Sequence, residues 1–419
     1  MIRIQNILII EPENTNNFYP FSVMHPVWEL RFGCHRLFEK IKIEFPESKI
    51  FYQGRKLQTL SFHQRFGIND ENLSNDSLLI INSKVIPNSN LWDTILEVLM
   101  NDPDRSLVIS KNNEPIIAWL DKANWVENLS KIELSNLKSQ FFKNFKNIEK
   151  QNIQTLEYLH EAILLNDEAI IEDSKNFKLF SKYDVNKYPG THALNPSNIY
   201  LGNGVKIYPT VVLDASEGPI IINRNAKIMS HATLVGPCYI GSNSVIKIGA
   251  KIYEKTTIGE FCKVGGEVEN SIFQSYSNKQ HDGFLGHSFI SEWVNLGADT
   301  NNSDLKNTYQ NISLRYRDDL VDTKTMFMGL LCGDHTKTAI NTRFNTGTTT
   351  GIAGIVFNSD FPPSHIKSFS WGGMKDSPTY KVEKAIQTAR IVMQRRQREL
   401  SDTEIKIMEN EYHKVNDKK

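Results

Sequence analysis

Residues 222–268 read INRNAKIMSHATLVGPCYIGSNSVIKIGAKIYEKTTIGEFCKVGGEV. Ile222, Ile228, Leu234, Ile240, Ile246, Ile252, Ile258 and Val264 stand six apart. Four residues behind each comes a small or β-branched one: Ala226, Ala232, Cys238, Ser244, Ala250, Thr256, Cys262 and Val268. A six-residue period fits neither a 3.6-residue helix nor a two-residue strand alternation. It fits a solenoid whose faces are short parallel strands, three hexads to a turn. The aliphatic side chain points into the prism, and the small one sits near a corner where a larger one would clash.

The same period extends outward on both sides. Upstream, Leu201, Ile207 and Leu213 are six apart, with Val205 and Val211 in the small slots, and Ser216–Pro219 resets the phase to Ile222. Downstream the pattern is lost after Val264 through Gly283. It is picked up at Phe284, Ile290 and Leu296, with Ser288, Val294 and Thr300 behind them. A polar insertion spans Asn301–Thr325, and a last run holds Cys332, Thr338, Phe344, Thr350 and Val356. Three hexads per turn predict about six coils.

Glycine usage marks the start of this region. Residues 1–189 hold only Gly33, Gly54 and Gly67, and the other 20 glycines lie from Gly190 onward. Solenoid corners call for φ > 0, which glycine supplies cheaply. The first half reads instead as α/β: strands at Ile7–Ile10, Lys49–Tyr52, Leu78–Ile81, Leu107–Ile109 and Pro115–Trp119, with helices at Leu91–Met100, Leu134–Phe145 and within Leu156–Asp173. That alternation predicts a parallel sheet. The expected division is an α/β domain over 1–190, an all-β solenoid over 198–376 and a charged helical tail over 377–419 that caps the solenoid's open end.

The 419 residues carry 48 basic and 48 acidic side chains, a balance that argues against a nucleic-acid binder. Four cysteines without CxxC spacing give no disulfide framework or zinc site. With no long apolar run, a cytoplasmic protein without a membrane span is expected.

A regular prism has no pocket, so chemistry belongs where the period breaks. The richest break is Asn278-Lys279-Gln280-His281-Asp282-Gly283-Phe284-Leu285-Gly286-His287. A loop histidine acts as a general base near neutral pH. The residues alone leave open an ordinary surface loop, and leave open whether His281 or His287 is the base. His335 reads as a corner residue and His231 as an outer-face one. No spacing joins His281, His287 and His335 into a metal site, and no metal is expected there.

The stretch from Ile222 to Thr300 resembles the hexapeptide-repeat acyltransferases, in particular the acetyltransferase half of the bifunctional GlmU type, which joins glucosamine-1-phosphate acetyltransferase to N-acetylglucosamine-1-phosphate uridylyltransferase. That family's His-x-x-Tyr-Leu-Gly and Val-Asn-Ile-Gly-Ala-Gly-Thr appear here, in register, as His281-Asp282-Gly283-Phe284-Leu285-Gly286 and Val294-Asn295-Leu296-Gly297-Ala298-Asp299-Thr300. Over most of its length the chain is similar to a GlmU-related bacterial group of sugar nucleotidyltransferase-like proteins. The runs that carry this are Asp214–Ile220, Val264–Ser271, Ser368–Gly373, Tyr19-Pro20-Phe21 and His25–Arg31.

The resemblance implies a left-handed parallel β-helix, a homotrimer, and acetyl-CoA lying between neighbouring prisms. It implies His281 as general base, Asn295 on the sugar, and Ala298 with Thr300 at the thioester. Phe284 replaces the family's tyrosine, Glu269 its pocket lysine and Tyr253 its pocket arginine. Lys255, Lys263 and Lys279 are the cations left to compensate, since a glutamate repels a sugar phosphate. In the N-terminal half, Glu11–Asn16 stand where a glycine-rich phosphate loop is expected, and Asn82-Ser83-Lys84 where a magnesium-binding Asp ends a strand. Arg31 and Lys84 are the remaining nucleotide-binding candidates, and Mg2+ is expected only if that half is active. The function expected is acyl transfer to an amino sugar phosphate or nucleotide, the alternative being a sugar-nucleotide sensor or trimeric scaffold.

Overall fold

The computed structural model describes residues 4–68, 76–101, 105–121, 137 and 142–417. The chain forms two compact units: one of residues 1–15, 25–30 and 35–157, the other of 16–24, 31–34 and 158–419.

The first unit is built on a six-stranded sheet. Its elements are β1 (Asn6–Ile10), α1 (Leu37–Glu44), β2 (Lys49–Gln53), α2 (Lys56–Phe66), β3 (Leu78–Asn82), α3 (Ser89–Asn101), β4 (Leu107–Lys111), β5 (Glu114–Leu120) and β6 (Lys146–Glu149). Strand order is β2-β1-β3-β5-β4-β6. Every residue of β1 and β3 is buried, as in a sheet covered on both faces. Ile7, Ile9, Leu79 and Ile81 enter one core, and Leu8, Ile10, Leu78 and Ile80 the other. The sheet is mixed, not parallel: β5 runs antiparallel to both β3 and β4. Two residues explain this, because Asn112 and Asn113 both take positive φ (51° and 62°) and close a tight hairpin. Most of the helix expected over Leu134–Phe145 lies outside the described residues.

In the second unit the hexads fold as their period predicts. One face stacks nine parallel strands, from Ile199–Leu201 through Ile220–Ile222, Cys238–Ile240 and Thr256–Glu260 to His365–Ile366. The solenoid is therefore longer than about six coils. Ile222 pairs with Ile240 and Ile240 with Ile258, so each aliphatic position stacks on the one a full turn earlier. All of them join one continuous core.

The coil does not break after Val264. Its partner in the next turn is Lys279, Ile252 pairs with Val268, and Ile258 with Phe273. The turn shortens and Val268 moves from a small slot to an interior one. Leu285, not Phe284, then pairs with Val268 and points inward. The sequence pattern vanished here because a lysine fills an aliphatic position. The real insertion follows Asn302: Phe289–Ile290 pairs next with Leu331–Cys332, and a hairpin (Ser313–Tyr316 with Asp319–Asp322) loops out between them.

Corners do take positive φ, but glycine is not their main occupant. Asn225, His231, Asn243, Lys255, Phe261, Tyr276, His287, Trp293 and His335 all sit at φ between 46° and 63°. Phe261, Tyr276 and Trp293 stack as a ladder, with ring centroids 5.0 and 4.4 Å apart. Gly259 is required for a different reason: a Cβ there would run into the carbonyl of Gln274 in the next coil.

Helices α4 (Leu159–Leu164) and α5 (Asn166–Ser174) belong to the solenoid unit, which moves the division from 190 to near 157. Asn166 donates to the Lys255 carbonyl at 2.8 Å, and Ile170 and Phe177 bury with Ile221 and Tyr239. The tail forms α6 (Val382–Gln394) and α7 (Asp402–Asn416), the latter opened by a Ser401–Glu404 capping box. It lies along the side of several coils rather than only over an end. Arg398 reaches Tyr276 and Arg396 reaches Asn278, while Glu411 accepts from Ser368 at 2.8 Å and from Arg317 at 2.9 Å. No helix among the described residues is long and apolar enough to cross a membrane.

Candidate functional site

The coil from Gly265 to Asp304 gathers most of the candidate residues. Lys279 is fully buried, and its ammonium donates to the carbonyls of Gly265 (3.1 Å) and His281 (3.0 Å). Burial pulls its pKa down to about 8, against the upward pull of Asp282, Asp299 and Glu267. The loop it grips is held at two more points: Asp299 N–H donates to Asp282 O, and Glu267 N–H to Gly283 O. Gly283, at φ 113°, lies so close to the Thr300 carbonyl that no Cβ fits. The His281 imidazole, by contrast, is exposed. Backbone immobility and an accessible side chain coincide at this residue.

At the other end of strand Phe284–Gly286 lies a second cluster. His287 Nδ1 meets Asp304 Oδ2 at 2.8 Å, with only 15% and 12% of the two side chains exposed. The Glu269 carboxylate completes the group, one donor atom from each residue lying within 4.8 Å of the others. The His287 ring stacks on Phe327 at 5.2 Å. Asn302 clamps Gly286 through both its N–H and its carbonyl, each at 3.0 Å. Burial raises the Glu269 pKa, and Asp304, Glu254 and Glu267 push it the same way while His287 opposes them. Neither Asp304 nor the pairing with His287 was legible in the sequence, because an insertion and a shortened turn had to be placed first.

His281 and His287 thus mark two different corners, one before and one after the same short strand. His335 occupies a third corner, stacked against Trp293. The three do not converge.

The remaining candidates divide. Tyr253 is half-buried and its N–H bonds the Val268 carbonyl, which places it beside Glu269. Phe284 faces outward, its N–H on Asn301 Oδ1 at 2.7 Å. Asn295 is half-buried between Asn278 and Lys337 in neighbouring coils. The Ala298 carbonyl takes the Asn341 N–H. The Thr300 hydroxyl is committed internally, to Gly297 O and Thr338 Oγ1, both at 2.8 Å. Two of the three expected replacement cations are committed elsewhere. Lys255 is paired with Asp167 at 2.9 Å and Lys279 points inward, while Lys263 lies among Lys247, Arg395 and Arg396, which with burial lower its pKa.

Arg31 belongs to the solenoid unit. It is 0% exposed, and its guanidinium grips the Glu260 carboxylate at 2.5 Å, the Gln274 carbonyl and the Cys34 carbonyl. A guanidinium spent on a buried carboxylate does not face a nucleotide, so this expectation is corrected. In the first unit, Lys84 follows β3 and is buried between Glu114 (2.7 Å) and Glu157 (3.1 Å). Glu11, just after β1, accepts from Val27 N–H and from Arg55. The strand ends where an α/β sheet usually meets its ligand therefore carry internal ion pairs.

A sugar nucleotidyl transferase family model matches residues 7–181. The GlmU bifunctional protein of Azoarcus sp. is 29% identical over 188 residues, covering 42% of this chain and 37% of that protein. The GlmU of Wigglesworthia glossinidia brevipalpis is 35% identical over 105 residues, 25% of this chain and 22% of its own. The chain is thus similar to a sugar nucleotidyl transferase domain over residues 7–181 and to GlmU-type proteins over part of its length. The bifunctional sugar-1-phosphate nucleotidylyltransferase/acetyltransferase of Sulfurisphaera tokodaii is 27% identical over 191 residues, 42% of this chain and 44% of that protein. The chain spans less than half the length of each of these curated relatives. Among solved structures, an Arabidopsis UDP-N-acetylglucosamine acyltransferase overlays 50% of this chain and 77% of its own at a TM-score of 0.28 and 14% identity.

Proposed function

We propose that this transferase moves an acetyl group from acetyl-CoA to the amine of an amino sugar at the coil 278–304, with His281 as general base. The observation that carries the reading is the immobilised His281 loop with its imidazole left accessible. In the reaction His281 takes a proton from the sugar amine, the nitrogen forms a bond to the thioester carbonyl carbon, and the C–S bond breaks as the leaving thiolate takes that proton to depart as the CoA thiol. A base held within reach of the proton it removes contributes roughly 100- to 10,000-fold.

Glu269 and Tyr253 line the acceptor side. The Glu269 carboxylate favours an acceptor that does not present a phosphate at that point: an amino sugar whose phosphate or nucleotide lies elsewhere. Asn295 and the backbone at Ala298 are the candidates for sugar and thioester contacts. A homotrimer, with the groove between prisms holding acetyl-CoA, completes the site in this reading. The ion pairs that occupy Glu11 and Lys84 support a first unit of nucleotidyltransferase ancestry that does not turn over a magnesium–nucleotide complex.

The test is the pH–rate profile of acetyl transfer by the full chain. The wild type should lose rate on the acid side through one imidazole, and His281→Ala should lose that acid limb along with at least about 100-fold of the rate. A profile unchanged by His281→Ala would remove His281 from the chemistry.

A further inference from the structure

We propose that Glu269, His287 and Asp304 form a binding site for a borderline divalent cation of the zinc type. The site shares Glu269 with the acceptor side of the acyl-transfer reading but does not rest on that reading, since none of the three is the proposed base. The three side chains come from three successive coils and offer one imidazole nitrogen and two carboxylate oxygens within 4.8 Å of one another. That donor set suits zinc, cobalt or manganese better than magnesium or calcium, which take oxygen ligands.

The backbones beneath the donors are fixed. His287 N–H donates to the Glu269 carbonyl, Gly329 N–H to the His287 carbonyl, and Met328 N–H to the Asp304 carbonyl. Asp304 packs directly against Gly286, where any Cβ would collide with its carboxylate. Phe327 covers one face of the imidazole. The Glu269 carboxylate makes no side-chain hydrogen bond among the described residues, although it is half-buried and faces a second carboxylate. A dication relieves that like-charge contact and takes the place of the proton shared between His287 Nδ1 and Asp304 Oδ2. Three protein ligands leave a coordination position open, the mark of a catalytic rather than a structural site.

The experiment titrates the full-length protein with Co2+ alone and reads its visible ligand-field absorption, with calorimetry for stoichiometry. One Co2+ per chain is expected, and His287→Ala, Asp304→Asn and Glu269→Gln should each weaken binding by roughly 10-fold or more. His281→Ala should bind Co2+ like the wild type, so failure of the metal site and failure of the acyl-transfer reading are told apart. Asp304→Asn keeps shape and volume, and a near-ultraviolet circular dichroism spectrum matching the wild type certifies its fold. The proposal is overturned by the absence of saturable Co2+ binding, or by one-to-one binding that Asp304→Asn and Glu269→Gln leave unchanged.

Discussion

Lys279 shows how a single side chain can be costly for the fold and useful to the site. It stands in the aliphatic column below Val264, and burial drops its pKa from 10.5 to about 8. A shift of that size corresponds to roughly 3 kcal/mol of unfavourable charge burial at neutral pH. Lys279→Met should therefore leave the thermal midpoint of the solenoid unchanged or raise it by a few degrees. It should also lower acetyl transfer by about 10-fold, because the carbonyl of His281 loses its anchor. Parallel calorimetry and kinetics check this, and a variant that loses stability in step with activity would assign Lys279 to the fold alone. The same residue explains a misreading of the sequence: an ammonium in an interior slot has no hydrophobic signature, so the coil holding His281 looked like a gap in the repeat. Arg31 was illegible for the opposite reason. Its motif is local, while its partner Glu260 lies 229 residues away.

Buried titratable groups give the elements a defined pH response. Burial pulls the Lys337 pKa to about 8, as it does for Lys279, and those of His160 and His365 to about 4. For the histidines the unfolded chain holds more protons between about 4 and 6.5, so their contribution is present above 6.5 and lost as pH falls to 4. For the lysines the unfolded chain holds the extra protons between about 8 and 10.5, so stability rises with pH across that window. Urea unfolding of the solenoid at pH 4.5, 7 and 9 should show the acid loss, and Lys279→Met should flatten the alkaline rise.

Glycines separate two kinds of constraint at this scale. Gly249→Ala enters open space at φ 69° and should cost about 1 kcal/mol. Gly259→Ala meets the Gln274 carbonyl and should cost more than about 3 kcal/mol or prevent folding. Denaturant midpoints of the two variants give the comparison. The hexads were legible because burial and corner sterics repeat one demand each turn. Corner φ was legible too, but not its occupants: stacked aromatics at Phe261, Tyr276 and Trp293 accept the left-handed conformation in exchange for ring contacts.

At the scale of the whole molecule, chain order and structural unit do not coincide. Residues 16–24 and 31–34 belong with 158–419. Phe21 packs edge-on against Phe289 at 5.7 Å, and the Cys34 N–H bonds Asp173 at 2.7 Å. A fragment starting at 190, the boundary that glycine usage suggests, strands Glu260 without Arg31 and exposes Ile221 and Tyr239. It should unfold at a lower temperature than the full chain or fail to remain in solution, which expression followed by thermal denaturation shows directly. The motif Tyr19–Arg31 is conspicuous in the sequence for this reason: its residues serve the cores of both units in turn. Composition reports which residues a coil needs, and not which distant segment covers it.

Acyl transfer at the coil of His281 is the chemistry on which fold and site converge. The most direct measurement is release of free CoA thiol from acetyl-CoA by the full-length protein across a panel of amino sugars, amino sugar phosphates and amino sugar nucleotides, with the acetylated product identified by mass. Release should depend on an amine-bearing acceptor and fall at least about 100-fold in His281→Ala. Thiol release with no acceptor dependence, or equal release by His281→Ala, would contradict it.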